Sequence, residues 1–557
     1  MSLSQENRFL TIETPLGRDV LALVAIKGSD AMSSGFHYEL DMFSEDAGIA
    51  FKDIVGERLT VSIKMSNGDK RYINGIVSTF EQVNRADETE KGLTRRNFFY
   101  RAEIVPWSWL LSRMINNRIF QEKDVQEIVQ QVFDDRGAFD YEWNLSDNYN
   151  KRNYCVQYNE TDLNFVSRLL EEEGIHYFYR HENGSHTMVL ADSPNENPPC
   201  PFQQTVRFRA EENVLMDEDF IFRLGCARKI TANKYTLTDY NFEAPASSLL
   251  VETDTNQQSN SGGGQREIYR YPGNYSEYSD GERFGRLRME TEEVGITTVT
   301  GESHCRGFIP GYRFTLAGYI RKEMNDKDYL LVSVDLKAHQ GWHELGDRRP
   351  DHFTNQFHCI PHDVPFRPRR RSRRPRVRGI QTAIVVGPSG EEIYPDEYGR
   401  VKVQFHWDRE GRKDDKSSCW IRVSQAWAGG GWGAMYIPRI GQEVIVEFID
   451  GDPDRPIITG SVYHGNNMPP YNLPSEKTKS TIKSDSSKGG GGSNELRFED
   501  KKGEEEIYLH GQKDWQIKIE NNKIQDVGAN DNLTVASDRN KTIGNNQDEK
   551  VGAVSYT

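Results

Sequence analysis

The chain has 557 residues, 36% of them hydrophobic and 11% aromatic, which is enough for three or four domains with cores of their own. A net charge of -15 and an isoelectric point near 5.5 argue against general binding to nucleic acid or to anionic membrane surfaces. Cys155, Cys200, Cys226, Cys305, Cys359 and Cys419 include no C-x-x-C pair, so neither a disulfide framework nor a zinc ribbon is signalled and folding in the cytosol is expected.

The apolar run Val20 to Ile26 follows Arg18 and Asp19 and is too short for a secretory leader, and no stretch approaches the roughly 20 apolar residues that span a bilayer. Export would need a route that reads no signal peptide. Residues 8–26 and 36–43 read as strands, with Phe36, Tyr38, Leu40 and Met42 alternating onto one face. Leu59, Val61 and Ile63, then Tyr72 to Phe80 and Tyr100 to Val105, continue the pattern, which predicts a β-barrel or sandwich.

From Glu122 to Arg136 the period becomes helical: Val125, Ile128, Val129, Val132 and Phe133 share a face and Gly137 stops it. A second helix is predicted at Asp162 to Glu173, with Leu163, Val166, Leu169 and Leu170 as its stripe and Gly174 as its stop. Ile175 to Arg180 and Thr187 to Ala191 then flank Asn183-Gly184, a dipeptide that favours left-handed backbone, and read as a hairpin. Strands at Gln204 to Arg209, Phe220 to Ile230, Tyr312 to Leu316 and Tyr329 to Leu336, with a helix at Glu282 to Glu293, predict a second β-domain.

Eight arginines crowd the run from Pro365 to Arg378. Alone they could mark a nucleic-acid patch; the reading adopted is an exposed linker, stiffened by Pro368 and Pro375 and lying on acidic neighbouring surfaces, because no basic groove with interleaved aromatics accompanies it. From Gly379 to Gly465 strand signals are dense. Val401, Val403, Phe405 and Trp407 alternate with Lys402, Gln404 and His406, and Ile440, Gln442, Val444, Val446 and Phe448 form another series of period two. About five strands in this span predict a small closed barrel with Val401, Val403, Phe405 and Trp407 in its core.

Other motifs are read as structural. Asp450, Asp452 and Asp454 open like a calcium loop, but Arg455 stands where the sharp turn needs Gly and Ser461 where a bidentate Glu belongs. His352, His358, Cys359 and His362 match no standard zinc spacing, and Gly429, Gly430, Gly431 and Gly433 precede no helix and no Lys-Ser/Thr. No G-x-S-x-G elbow and no H-E-x-x-H occurs, so catalytic residues, metal ligands and cofactors are all predicted to be none.

Near the end an aliphatic residue returns at every eighth position, Val527, Val535, Ile543 and Val551, each followed by Gly or Ala and then by polar residues. One apolar residue in eight gives neither a helical stripe nor a sustained alternation. Three identical strands wound together, each giving one aliphatic per rung, would bury about 20–30 kcal/mol gross, before chain entropy is subtracted. The repeat therefore predicts a homotrimer with these four residues as its core; composition alone would instead suggest a disordered polar tail.

The segment from Tyr158 to Ile175 with its hairpin, Phe36-His37-Tyr38-Glu39-Leu40, Gly75-Ile76-Val77 and Gly311 to Leu316 resemble the hub of VgrG, the spike family of bacterial type VI secretion. The stretches Asp396 to Asp408, Trp420 to Gly429 and Pro438 to Val444 resemble that family's OB-fold, and Asn494 to Gly503 the start of its needle. The resemblance implies a mainly β fold with two hub β-barrels carrying inserted α/β elements, an OB-fold barrel, and an intertwined trimeric β-helix (β-prism) needle. Expected domains are 1–110, first barrel; 111–200, helical and hairpin insertion; 201–364, second barrel; 365–378, basic linker; 379–465, OB-fold neck; 466–493, Ser/Gly/Pro-rich linker; and 494–557, needle. Related phage spikes carry a lysozyme domain between OB-fold and needle, but only about 30 residues separate Gly465 from Asn494 here.

By the same resemblance the partners are two further copies of the chain, the Hcp hexamer tube, a PAAR-repeat tip protein, baseplate subunits, and effector or adaptor proteins, with no nucleic acid. The protein would be made in the cytoplasm and leave by the type VI route. It is expected not to be an enzyme, with no room for a fused effector domain before Thr557. The rival expectations are the tail hub of a contractile phage or pyocin-like particle, or a spike whose enzyme domain lies beyond Thr557.

Overall fold

The alternation predicted for Phe36, Tyr38, Leu40 and Met42 is realised in the strand Gly35–Ser44, where all four side chains enter one core. The computed structural model describes residues 3–83, 97–137, 140–210, 218–257, 264–342, 345 and 347–553, so Thr557 lies outside the described residues. It divides into two units, Met1–Asn467 and Met468–Thr557.

In the first unit a 12-stranded sheet carries both predicted β-regions. Its main path runs Leu10–Glu13, Arg58–Lys64, Lys70–Val83, Phe98–Val105, Gly35–Ser44, Ala22–Ala31, Lys327–His339, His352–Pro361, Thr297–Ser303 and Ile221–Arg228. The seam is antiparallel, with Ala31 opposite Ser333 and Ala25 opposite His339. Each side keeps its own core. Leu40, Ile63 and Tyr100 belong to one, Phe308, Phe314, Leu331 and Phe357 to the other.

Two helices close the first core. Helix α1, Val125–Asp134, starts at a capping box in which Asp124 Oδ1 accepts from Glu127 N at 2.8 Å and Glu127 Oε2 accepts from Asp124 N at 3.0 Å. Helix α2, Asp162–Glu173, starts at Thr161, whose hydroxyl accepts from Asn164 N at 3.1 Å, and stops at Gly174 with φ +74°. The left-handed stop lets the chain turn directly into the hairpin His176–Glu182 and Ser185–Ala191. Of the Asn183-Gly184 dipeptide only Gly184 has a positive φ; the turn needs left-handed backbone at its second central residue alone.

Residues 229–296 form an insertion that the sequence reading did not separate. It holds a three-stranded sheet of Val251–Asp254, Lys234–Leu237 and Glu267–Arg270, packed under helix α3, Tyr278–Glu293. Its strands are four residues long and mostly polar, too short to register as a periodic signal.

Residues 381–462 make the predicted small barrel. Lys402–Phe405, Gln381–Val386, Glu443–Phe448, Pro456–Val462 and Arg422–Val423 pair in that order. The ring closes where Val401 and Ile421 exchange backbone hydrogen bonds at 3.0 and 2.8 Å. The second unit begins with an antiparallel sheet of Lys479–Lys483, Glu495–Glu499 and Glu506–His510. Its first strand falls inside the stretch 466–493 read as linker, because Thr481 and Ile482 find β-partners in Arg497 and Leu496.

Candidate assembly site

A buried cluster of charged side chains lies where α2 ends. Glu171, Glu172 and Glu173 occupy the last turn, where the partial negative charge of the helix C-terminus opposes carboxylates, and all three are buried. Arginines from three separate segments offset that arrangement. Arg152 donates to Glu172 at 3.0 Å and to Glu173, and Arg283 of α3 also pairs with Glu173. Arg288, five residues further along α3, donates to the carbonyls of Glu171 and Glu172 at 3.3 and 3.0 Å.

The basic run supplies the rest. Arg367 donates to the carbonyls of Gly174 and Asp192 at 3.1 and 2.7 Å and to Glu290 at 2.7 Å. Ser372 donates from its backbone and hydroxyl to Glu171. Arg374 Nη1 lies 3.7 Å from Glu172, while its Nη2 meets Asp452 at 3.1 Å and Asp454 at 2.7 Å. The run is therefore a strap between α2 and the barrel, not an exposed linker: Arg367 is buried. It does lie on acidic groups, which is what selects arginine there.

Titration behaviour follows from the packing. Burial opposes ionisation of Glu172, but Arg152 and Arg374 outweigh it and hold the carboxyl well below the usual carboxylate range. Burial, then the neighbouring Asp454, push Asp452 up to about 6. Burial also lowers Arg288 to about 10, with Arg370 adding repulsion.

The Asp450-Asp452-Asp454 loop is a tight turn with Asp450 at φ +56°. Its Asp454 Oδ1 accepts from Val156 N at 2.6 Å, so the loop ties the barrel to the strand Cys155–Thr161. Trp407 stacks on Phe405 at 5.1 Å, meets Tyr158 edge-on at 5.7 Å and donates to Gln381 at 2.9 Å. Of the predicted barrel-core residues, Val401, Val403 and Phe405 are buried, whereas Trp407 sits half-buried at the border with Tyr158. Gln404, placed on the outer face by its alternation, is buried and bonded to Asp408.

Beside the strap a cleft of about 530 Å³ is lined by Arg152, Glu173, Asp239, Arg374, Trp420 and Arg455, among others. The histidines read as structural lie apart: His352 and His358 sit on the strand His352–Pro361, and His362 Nε2 lies 2.9 Å from Pro194 O. Among the described residues no group of three His, Cys, Asp or Glu is placed to hold a metal ion. The glycines Gly429 to Gly433 form a hairpin, Ala428–Gly429 paired with Trp432–Gly433.

In the second unit every described residue from 511 to 553 is exposed and none forms a helix or strand within the single chain. Val527, Val535, Ile543 and Val551 are 48, 45, 43 and 53% exposed.

Comparison with known proteins places these pieces. Residues 29–342 match the family described as phage tail baseplate hub (GPD), residues 383–463 the type VI secretion system/phage-baseplate injector OB domain, and residues 480–557 the bacteriophage T4 gp5 C-terminal trimerisation domain. The spike protein VgrG1b of Pseudomonas aeruginosa is 40% identical over 546 residues, 98% of this chain and 71% of that protein. VgrG1a of the same organism is 40% identical over 527 residues, 94% and 80% of the two chains. The actin cross-linking toxin VgrG1 of Vibrio cholerae is 35% identical, and this chain covers 46% of it.

Among solved structures the fold is similar to an Escherichia coli type VI component, c3393, itself similar to T4 tail proteins gp27 and gp5, with a TM-score of 0.57, 19% identity and coverage of 81% of this chain and 100% of that one. It is also similar to the lidless PdpA-VgrG complex, with a TM-score of 0.56, 9% identity and coverage of 90% and 97%. With hub, OB and trimerisation segments following one another in a sequence that keeps 40% identity over nearly its whole length, the chain belongs to the VgrG family of type VI secretion system spike proteins.

Proposed function

We propose that this spike works by transmitting force and not by catalysis. Three copies seat their hubs on the Hcp tube, against baseplate subunits, and their wound C-terminal segments form a needle that a PAAR-repeat protein caps. Sheath contraction then drives the assembly, with effectors or their adaptors, through the target membranes, and the protein reaches the medium or the target cell by that route.

The observation that carries this reading is the eight-residue aliphatic series left about half exposed in a single chain. Buried apolar side chains are what a trimerisation segment gains on association. The strap supports the mechanical part, since charge-assisted bonds from Ser372 to Glu171 of α2 and from Arg374 to Asp454 of the barrel hold the two in one geometry under load.

Fractionation tests it. In cells with a working type VI system the chain is expected in the medium together with the tube protein, and expected to stay inside when the sheath is disabled. Retention in both strains overturns the reading. The purified chain is expected to leave a peptidoglycan suspension turbid; clearing would show a hydrolase activity and overturn the non-catalytic part.

A further inference from the structure

We infer that the aromatic hairpin Trp427 to Tyr436 of the OB barrel is the contact surface by which each barrel docks on a second copy of this chain. The inference rests on the trimeric reading above and adds to it where the copies touch outside the C-terminal segment.

The hairpin is rigid and bare. Ala428–Gly429 and Trp432–Gly433 pair only with each other among the described residues, leaving the outer edge of each strand open. Trp427 and Trp432 meet edge to face at 4.9 Å, and Gln425 clamps the stem by accepting from Tyr436 N at 2.9 Å and donating to Tyr436 O at 3.1 Å. Despite that order, Trp427 is 64%, Trp432 58%, Met435 77% and Tyr436 60% exposed. Four large apolar side chains held in one conformation and left in water mark an interaction surface.

Charge decides the occupant. Residues 424–437, Ser-Gln-Ala-Trp-Ala-Gly-Gly-Gly-Trp-Gly-Ala-Met-Tyr-Ile, carry no Asp, Glu, Lys, Arg or His in a chain that is 28% charged. In a symmetric assembly, a charge near the symmetry axis on a surface that meets its own copies approaches its own like charge. An unrelated partner imposes no such restriction, and a chain of net charge -15 would attract a basic partner through acidic rim residues. The glycines suit the same purpose. A Cβ at Gly429 would strike the Trp432 ring at 2.3 Å, and Gly430 at the tip faces open space, so another backbone can come close.

The test uses the full-length purified chain with a photo-crosslinking phenylalanine analogue at Met435 and, in a second variant, at Tyr436, both exposed side chains whose replacement leaves the glycine tip and the barrel core untouched. With the protein trimeric by sedimentation, irradiation is expected to give products at twice and three times the 64.0 kDa chain mass from both variants. A trimer by mass that yields no interchain product from either position overturns the docking surface and leaves the trimer standing. A monomer by mass overturns the docking surface and the trimeric reading together. Transfer of the crosslink to added vesicles in place of a second chain, with the protein still trimeric, assigns the hairpin to membrane and overturns the proposal.

Discussion

Arg374 donates to Asp454 at 2.7 Å, and Asp454 in turn accepts from the backbone of Val156 at 2.6 Å. One carboxylate thus ties the strap and the barrel loop to the hub.

Breaking that tie leaves three carboxylates without their shared cation. Arg374→Met is expected to cost about 3 kcal/mol, the low end for removing one partner of a buried ion pair, since Arg374 keeps partial access to water. Arg374→Lys retains the charge but loses the fork, and should fall between. Urea denaturation followed by tryptophan fluorescence checks both; an unchanged midpoint for Arg374→Met would show that the strap contributes nothing.

The same cluster predicts two opposing pH responses. Asp452 titrates at about 6 in the folded protein against an ordinary 3.8, so ionising it costs stability, and that cost grows as pH rises from about 4 to 6. Glu172 is held below its ordinary value, so it contributes stability above about 4.5 that is lost as pH falls. Asp452→Asn should therefore gain on the parent between pH 4 and 6, and Glu172→Gln should be less stable than the parent by a constant amount above about 4.5, a gap that closes as pH falls below it. Unfolding midpoints from pH 2 to 8 decide; a curve for Asp452→Asn parallel to the parent between pH 4 and 6, or one for Glu172→Gln that stays parallel below 4.5, refutes the assignment for that residue.

Gly174→Ala tests the end of α2. The position needs φ +74°, and a Cβ would sit 2.8 Å from Leu287 Cδ2 of α3. Left-handed backbone costs an alanine about 1–2 kcal/mol, and crowding Leu287 adds about 1 kcal/mol or more. Thermal unfolding should show a clear drop, larger than for Gly184→Ala, where φ is +85° but nothing lies within 4 Å. Equal losses would mean that packing on α3 is irrelevant.

Ile543→Asp probes the eight-residue series. In three wound strands it brings three carboxylates together in a dry core, where each pKa unit of forced protonation costs about 1.4 kcal/mol. The expected outcome is loss of protease resistance beyond residue 494 with the first unit still folded. Full resistance and normal secretion would remove Ile543 from any threefold core.

These residues also show what a sequence can and cannot disclose. Helix α2 was legible because its apolar spacing and Gly174 are local, and the series Val527 to Val551 because a period is a property of the chain alone. Nothing in the local sequence marks the three glutamates ending α2 as buried. Arg152 lies 20 residues before Glu172, but Arg283, Arg288 and Arg374 come from more than 100 residues further on, and no local pattern encodes such a pairing. The linker reading failed at two residues for the same reason: Arg367 and Arg374 look as solvated as the other six arginines of the run until Glu290, Glu172, Asp452 and Asp454 are found beside them. The insertion at 229–296 escaped because four-residue polar strands carry no period.

The seam between Ala22–Ala31 and Lys327–His339 joins residues about 300 positions apart. At a synthesis rate of 5–20 residues per second, the early strand waits about 15–60 s for its partner to leave the ribosome. During that interval one edge of the nascent sheet, with its row of open backbone donors and acceptors, is bare. The hub sheet can therefore close only once Lys327–His339 has emerged, and the interval before that is when its open edge is most exposed to mispairing.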